Sequence, residues 1–553
     1  MGLVTSILSL VNDPMSLMTS ILSLMNDPMS LMTSILSLMN DLMSLRNASF
    51  HRLTSPVCHV GPRVARVPGS SRSMRAETHG ITASFRRGTP DAQPLAMSRA
   101  LVSAFCPALL LALAACTHTT SPSAGDTSDA GPAPTLESSP LPRTPASSIP
   151  ASTLADAVTA NNAFAFDLYG RVRATGGTSN VLTSPLSASL ALTMTYAGAQ
   201  GATATQMATA LHLGSGAGSI FDGQNALGQA LDARAAAALA QATQAASDAP
   251  GTTPPSPSDY TLQIVDSVWG EKTYTWQQPF LDTLAQSYGT GVYVEDFIHQ
   301  WDPARQAINT WVSDQTADKI NDLLPEGSLD DTTRMVLVNA IHLKMPWATP
   351  FQVSATAPAT FTRADGSTVT ASFMNQTGTM QYADDGQAQI VSLPLSGGDL
   401  SVVIALPHGD LATYEAGLTA LTPPSMGSQV QLSLPKVAFT SPSFSLKSEL
   451  QAMGMTQPFD PQAADFTGLC AAPPDGDNLY ILDVLQKAML AMQETGVEAA
   501  AATAVIVAGL GGVAEPTVQM VVNRPFVVAI VDVPTGAILF LGHIEDPTDT
   551  GSP

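Results

Sequence analysis

A mixed α+β fold is what this sequence predicts, on two observations: beyond residue 150, helical periodicity is concentrated early and strand periodicity late. TLADAVTANNAFAFDLYGRV, from Thr153, spaces its apolar residues as one buried helix face requires. From Asn180 the chain gives a short strand and then a helix, with Pro185 suited to a first turn, Ser184 a candidate cap, and Gly198 and Gly201 ending the run. Residues 230–246 form an alanine-rich helical run, followed by a Pro- and Ser-rich surface excursion, 247–258. SVVIALP, QVQLSLPKVAF, PFVVAIVDV and AILFLGHI follow as strands. One stretch resists assignment: QETGVEAAAATAVIVAGLGG, residues 493–512, where no charge and no proline appears between Glu498 and Glu515. Its small side chains fit helix, strand or loop, and propensity alone favours helix.

The apolar share of 45% is ample for a large core, and 553 residues suffice for two or three domains. Beyond residue 116 the chain holds 14 Lys and Arg against 40 Asp and Glu. Such a surface repels nucleic acid and anionic headgroups, so polyanions are poor candidate partners and no nucleic acid is expected. Cys58, Cys106, Cys116 and Cys470 lie in no CxxC or His-rich neighbourhood, so neither a metal site nor a cofactor is expected. Cys470 has no partner for a disulfide beyond residue 116, which leaves burial to supply stability. Neither GxSxG nor HExxH occurs, and the nine His residues form no ligand-like pair, so the chain is not expected to be an enzyme.

The first 44 residues repeat a 14-residue unit, LVTSILSLVNDPMS from Leu3, LMTSILSLMNDPMS from Leu17 and LMTSILSLMNDLMS from Leu31. Pro and Asn-Asp break each unit, so the array buries little. At Met97, MSRALVSAFCPALLLALAAC supplies a positive Arg99, an apolar stretch of signal length and a Leu-Ala-Ala-Cys box of the bacterial lipoprotein kind. A signal of this sort works at an N-terminus, so Met97 is the expected start and residues 1–96 a mis-assigned upstream region. Residues 97–116 are then the signal peptide, Cys116 the lipidated residue, 117–150 a flexible Ser/Thr/Pro-rich tether, and 151–547 the folded domain. Thr117 after the cysteine points to outer-membrane retention, and the lipid on Cys116 is the only membrane attachment expected.

VVNRPFVVAIVDVPTGAILFLGHIEDP, residues 521–547, resembles the C-terminal signature of the serpin family. Other matches follow in the family's order. NVLTSPLSASLALTMTYAGAQGATATQM from Asn180 resembles its strand-to-helix segment. Residues 307–351 resemble its helix, linker and central strand, with Asn309, Trp311, Lys319, Asn339, Lys344 and Trp347 in place. PQAADFTGL and LQKAMLAMQETGVEAA complete a resemblance that spans nearly all of 151–547. It implies a serpin-like α+β fold: a large central β-sheet, additional sheets, about eight or nine helices, and an exposed reactive-centre loop on a monomer.

The resemblance further implies that Glu494, Gly496, Val497, Glu498, Ala499, Ala500, Ala501, Ala502 and Thr503 form a hinge, and that residues up to about Gly512 are bait. A serine protease cuts the bait, becomes acylated, and is carried off as the cut loop enters the central sheet. Insertion demands small or β-branched residues at alternate positions, and Val497, Ala499, Ala501, Thr503, Val505 and Val507 comply, with Glu498 on the outward set. Backbone pairing and valine burial together supply on the order of 10 kcal/mol. Counting from Glu494 places the cut at Leu510–Gly511, with Ala508, Val513 and Ala514 as alternatives. The loop carries no Lys or Arg, so chymotrypsin-, elastase- or subtilisin-like proteases are the expected targets. Asn180, Ser184, Pro185, Ser187, Asn339 and Gln486 are placed in a shutter under the sheet, and Trp347 at the breach above it. Gln486 stands where the family most often has His, so strand opening is expected to depend less on pH. The competing reading is a non-inhibitory serpin serving as a surface-binding or chaperone-like lipoprotein.

Overall fold

Two β-sheets with one helix enclosed between them organise the chain. The computed structural model describes residues 134–551 except 178, 215–216, 250, 472, 475, 477 and 499–516. These all fall within one unit, Ala124–Pro553.

The first third is mainly helical: β1 (Thr135–Glu137), α1 (Ala151–Gly176), β2 (Val181–Thr183), α2 (Pro185–Tyr196), α3 (Gly201–Ala210), α4 (Ala217–Asp232) and α5 (Arg234–Asp248). The alanine-rich run is therefore divided at Ala233 between α4 and α5. Next come β3 (Thr261–Glu271), α6 (Gln278–Thr283), β4 (Val292–Glu295), α7 (Phe297–Gln315) and β5 (Met335–Pro346). Strands then dominate: β6 (Ala357–Thr362), β7 (Thr368–Asp384), β8 (Ala388–Pro394), β9 (Leu400–Pro407), α8 (Leu411–Ala416), β10 (Gly427–Pro435), β11 (Val437–Thr440), β12 (Phe444–Ser445) and α9 (Lys447–Ala452). The chain closes with β13 (Val484–Gln486), β14 (Met489–Gln493), β15 (Gly496–Val497), β16 (Val518–Val521), β17 (Phe526–Asp532) and β18 (Ala537–Ile544).

The first sheet runs β1-β4-β3-β5-β15-β14-β11, with β13 also on β5 and β12 on β13. The second runs β16-β10-β7-β8-β9-β17-β18-β2, with β6 on β7. Helix α2 carries no charged side chain, and every residue but Tyr196 is buried, because β3 and β5 enclose it on one side and β18 on the other. Its predicted cap takes a different form. Ser184 precedes Pro185 but makes no side-chain capping bond; its hydroxyl donates instead to Leu539 O at 3.0 Å, fastening the helix start to β18.

Successive residues of β5 serve different layers, as the two-residue period requires. Ile341, Leu343 and Met345 join the core shared with the second sheet, whereas Val336, Val338 and Ala340 meet Ile308 and Val312 of α7 on the opposite face. Gly542 of β18 lies so close to β2 that a Cβ there would stand 2.2 Å from Val181 O, which only glycine avoids.

Residues 134–150, read from composition as part of a tether, are held to the domain. Thr135–Glu137 pairs antiparallel with Val292–Val294 of β4. Arg143 then donates to Asn225 Oδ1 at 2.9 Å and meets Asp232 Oδ2 at 3.1 Å on α4. Gln229 binds Ala146 N at 3.1 Å and Thr144 O at 2.8 Å. A segment with few apolar residues of its own is held because the domain supplies partners for its backbone.

Candidate functional site

The strand order around β5 leaves one place incomplete. Along one edge β5 pairs with β3 from Met335 to Lys344. Along the other it meets β13 in parallel at Leu337–Asn339 and β15 antiparallel at Met345–Pro346. Among the described residues no strand pairs with that edge between Asn339 and Met345. Across the opening, β14 pairs with β11 on its far side and with β15 only at Met492 and Gln493. Gly496 and Val497 therefore sit at the head of a slot the width of one strand.

Several bonds fix this head. Trp347 Nε1 donates to Gln493 O at 2.7 Å, Trp347 N to Thr495 O at 3.0 Å, and Phe351 N to Glu494 O at 2.8 Å. Glu494 binds Lys436 Nζ at 2.8 Å and accepts from Thr356 Oγ1 at 2.9 Å. Burial alone would raise the Glu494 carboxyl; Lys436, a backbone N–H and Thr356 together outweigh it and hold it below its ordinary value. Val497, 2% exposed, packs into the core shared by the sheets, opposite Met345. Glu498 turns to the α7 side, where its carboxylate meets His342 Nε2 at 2.8 Å and Lys319 Nζ at 2.7 Å. Desolvation would raise this carboxyl too, and again the bonds to His342 and Lys319 prevail and lower it.

Lower down, the shutter residues divide into two groups. Gln486 accepts from Ser184 N at 3.1 Å and donates to Ser184 O at 2.8 Å and Asn339 Oδ1 at 3.0 Å. Asn339 Nδ2 donates to Leu485 O at 3.1 Å. Asn180 lies apart from this cluster: it accepts from the backbone of Glu545 and Asp546 and donates to Asp546 O, clasping the entry of β2 to the end of β18. Ser187 donates to Asp266 Oδ1 at 2.6 Å, while Asp266 Oδ2 is enclosed without a partner.

Sequence reasoning missed Asp266, His342, Lys436 and Thr356 as members of this region. His342 carried a faint signal, a polar residue inside the apolar run VLVNAIHLKM. Asp266 bears on the pH expectation drawn from Gln486. Burial pushes its carboxyl well up, against the smaller opposing pull of the Ser187 hydroxyl. The folded state therefore keeps a proton that the unfolded chain releases near pH ~4, and this contribution to stability is full below that pH and falls away as pH rises above it. Asp266→Asn is expected to match the parent in urea midpoint near pH 4 and to exceed it at pH 8. Equal midpoints at both pH values would remove Asp266 as a titrating element of the shutter.

Ala499, Ala500, Ala501, Ala502, Thr503, Leu510 and Gly511, the alternative cut sites, Cys116 and the repeats before residue 97 lie outside the described residues. Among the described residues no cluster of His, Cys, Asp and Glu could hold a metal ion, and no helix is long and apolar enough to cross a membrane.

Comparison with known proteins agrees with this architecture. A serpin-like protein of Methanosarcina acetivorans is 31% identical over 399 residues, covering 71% of this chain and 86% of its own. The leukocyte elastase inhibitor of Bos taurus is 32% identical over 409 residues, covering 70% of this chain and 98% of its own. The crystal structure of a thermophilic serpin, tengpin, in its native state aligns with a TM-score of 0.60 at 25% identity, over 74% of this chain and 97% of that one. The family model described as Serpin (serine protease inhibitor) matches residues 159–547. With that match over most of the chain, and relatives at 31–32% identity matched over most of their own length, the chain belongs to the serpin family.

Proposed function

We propose that the protein is an irreversible, suicide-substrate inhibitor of serine proteases of apolar specificity. The observation that carries this reading is the seat of β15: two hinge residues already lie between β5 and β14, at the head of an open edge. In the proposed reaction the target's serine attacks the carbonyl of Leu510, the Leu510–Gly511 bond breaks, and the Gly511 amine leaves, so that the protease is held as an acyl ester. The register of β15, carried forward along β5, sets Ala499 opposite Leu343 and Ala501 opposite Ile341, and Thr503 reaches the seat opposite Asn339 once β13 parts from β5 there. Inserting ~15 residues at ~3.3 Å each moves the acylated end about 50 Å. Deacylation needs donors aligned within fractions of an ångström, and a protease pressed against the far end of the sheet loses that alignment. The catalytic groups belong to the target; this chain supplies the bait and the stored free energy.

An apolar residue before the cut suits elastase-, chymotrypsin- and subtilisin-like enzymes, and a relative named as a leukocyte elastase inhibitor is consistent with that preference. In the same reading the domain is exported and held at the outer membrane by lipid on Cys116. The test is to mix the protein with subtilisin, chymotrypsin and elastase, look for an SDS-resistant adduct, and sequence the released C-terminal peptide. A peptide beginning at Gly511 together with an adduct is expected. Clean cleavage with no adduct for any of the three would favour the non-inhibitory, surface-binding reading instead.

A further inference from the structure

β15 ends at Val497, although among the described residues no strand meets the edge of β5 from there to Asn339. The reason lies in the next residue. Glu498 has φ +47°, a left-handed backbone that costs a non-glycine residue on the order of 1 kcal/mol and cannot continue a strand. Yet its N–H already donates to Ala491 O at 2.7 Å, in step with β14. The backbone has entered the slot and is then turned out of it.

What holds the turn is the side chain. On the observed register Glu498 would take its strand seat opposite Lys344, and residue 500 would sit opposite His342. The Glu498 carboxylate instead reaches two positions ahead of that seat to His342 Nε2. The other carboxylate oxygen is held by Lys319, on the linker between α7 and β5. That linker is itself bent by left-handed residues at Ala317, Asp318 and Asp322, with φ of 51°, 60° and 52°. The neighbouring charges are engaged elsewhere: Lys344 with Asp259 at 2.9 Å, Asp318 with Ser313 at 2.9 Å, and Lys487 with Asn321 O at 2.7 Å. Glu498 and His342 are nearly enclosed, with side chains 10% and 6% exposed, so their contact is a charge-assisted bond sheltered from water.

We propose that Glu498, His342 and Lys319 form a stop on loop insertion: they lock the left-handed turn at Glu498 and hold the central sheet with only its first two loop residues seated. The inference rests on the insertion reading above and concerns its timing. Advance by one residue requires Glu498 to release both partners and adopt an extended backbone; from then on the open edge offers pairing without further obstruction from this cluster.

The experiment compares the intact protein with Glu498→Gln, His342→Phe, Lys319→Met and the double variant Glu498→Gln/His342→Phe. The spontaneous rate at which the uncut chain acquires a heat-resistant, loop-inserted form is followed at fixed temperature, and heat resistance is measured in parallel after subtilisin cleavage. Each single variant at Glu498 or His342 is expected to insert tenfold faster or more, Lys319→Met severalfold faster, and the double variant no faster than the quicker single, because both changes undo one clamp. Glu498→Gln and Lys319→Met keep side-chain size, so a folding failure in His342→Phe leaves the comparison intact. Single variants at or below the parent's rate, or effects that multiply in the double, overturn the stop while the insertion reading stands. A parent chain that gains no heat resistance on cleavage overturns the insertion reading, and the stop with it.

Discussion

Ala501→Arg is expected to abolish the SDS-resistant adduct and turn the protein into an ordinary substrate, cut near Leu510 and released. The register of β15 on β5, extended by four residues, sets position 501 opposite Ile341. Ile341 is 2% exposed and belongs to the apolar layer between the sheets. A guanidinium arriving there enters an apolar layer, and burying a charge costs several kcal/mol even after relaxation. Insertion then stalls halfway while deacylation proceeds. The number of inhibitor molecules consumed per protease inactivated should rise at least tenfold, read by titration against residual protease activity. Ala502→Arg, one residue on, serves as the contrast, since the same register would turn an inserted residue 502 to the opposite face of the sheet. An Ala501→Arg protein that still forms adduct at the parent's stoichiometry would show that this position does not enter the sheet.

The second large effect is expected at the shutter. Gln486 is fully enclosed and satisfies three buried groups at once: the N–H and carbonyl of Ser184 and Oδ1 of Asn339. Gln486→Leu preserves the volume and removes every one of those bonds. A buried polar group left without a partner costs about 1–3 kcal/mol, so a loss of ~3 kcal/mol or more is expected, seen as a lowered urea midpoint and faster spontaneous conversion. The fault lies where β13 leaves β5, so the sheet should part there first. A midpoint unchanged from the parent would mean that water replaces the amide at no cost.

Much of this was legible in the sequence because alternation is a local property. Val497 is buried opposite Met345, and Pro185 opens α2 where the Ser-Pro step suggested. The ion pairs were not legible. Glu494 and Lys436 are 58 residues apart, and nothing in either neighbourhood announces the other. Asp266 sits in TLQIVDSVWGE, where a carboxylate between apolar residues reads as the wet side of a strand; only the arrival of α2, with Ser187, makes that side dry. The residues before Ala151 were misjudged for a related reason. Composition records what a segment can bury by itself, and says nothing of the bonds another part of the chain can offer it, as α4 offers them to Arg143 and Thr144.

That short N-terminal strand has a practical consequence. Thr135–Glu137 covers the outer margin of β4, and Gly291 lets it approach so closely that a Cβ there would lie 2.1 Å from Glu137 O. A version of the protein trimmed to Ala151, where composition alone would begin it, would leave the amides and carbonyls of Val292–Val294 as a bare border. Borders of that kind recruit strands from neighbouring molecules. The few residues ahead of α1 thus act as a hem, keeping the rim of the sheet from collecting strands of neighbouring molecules.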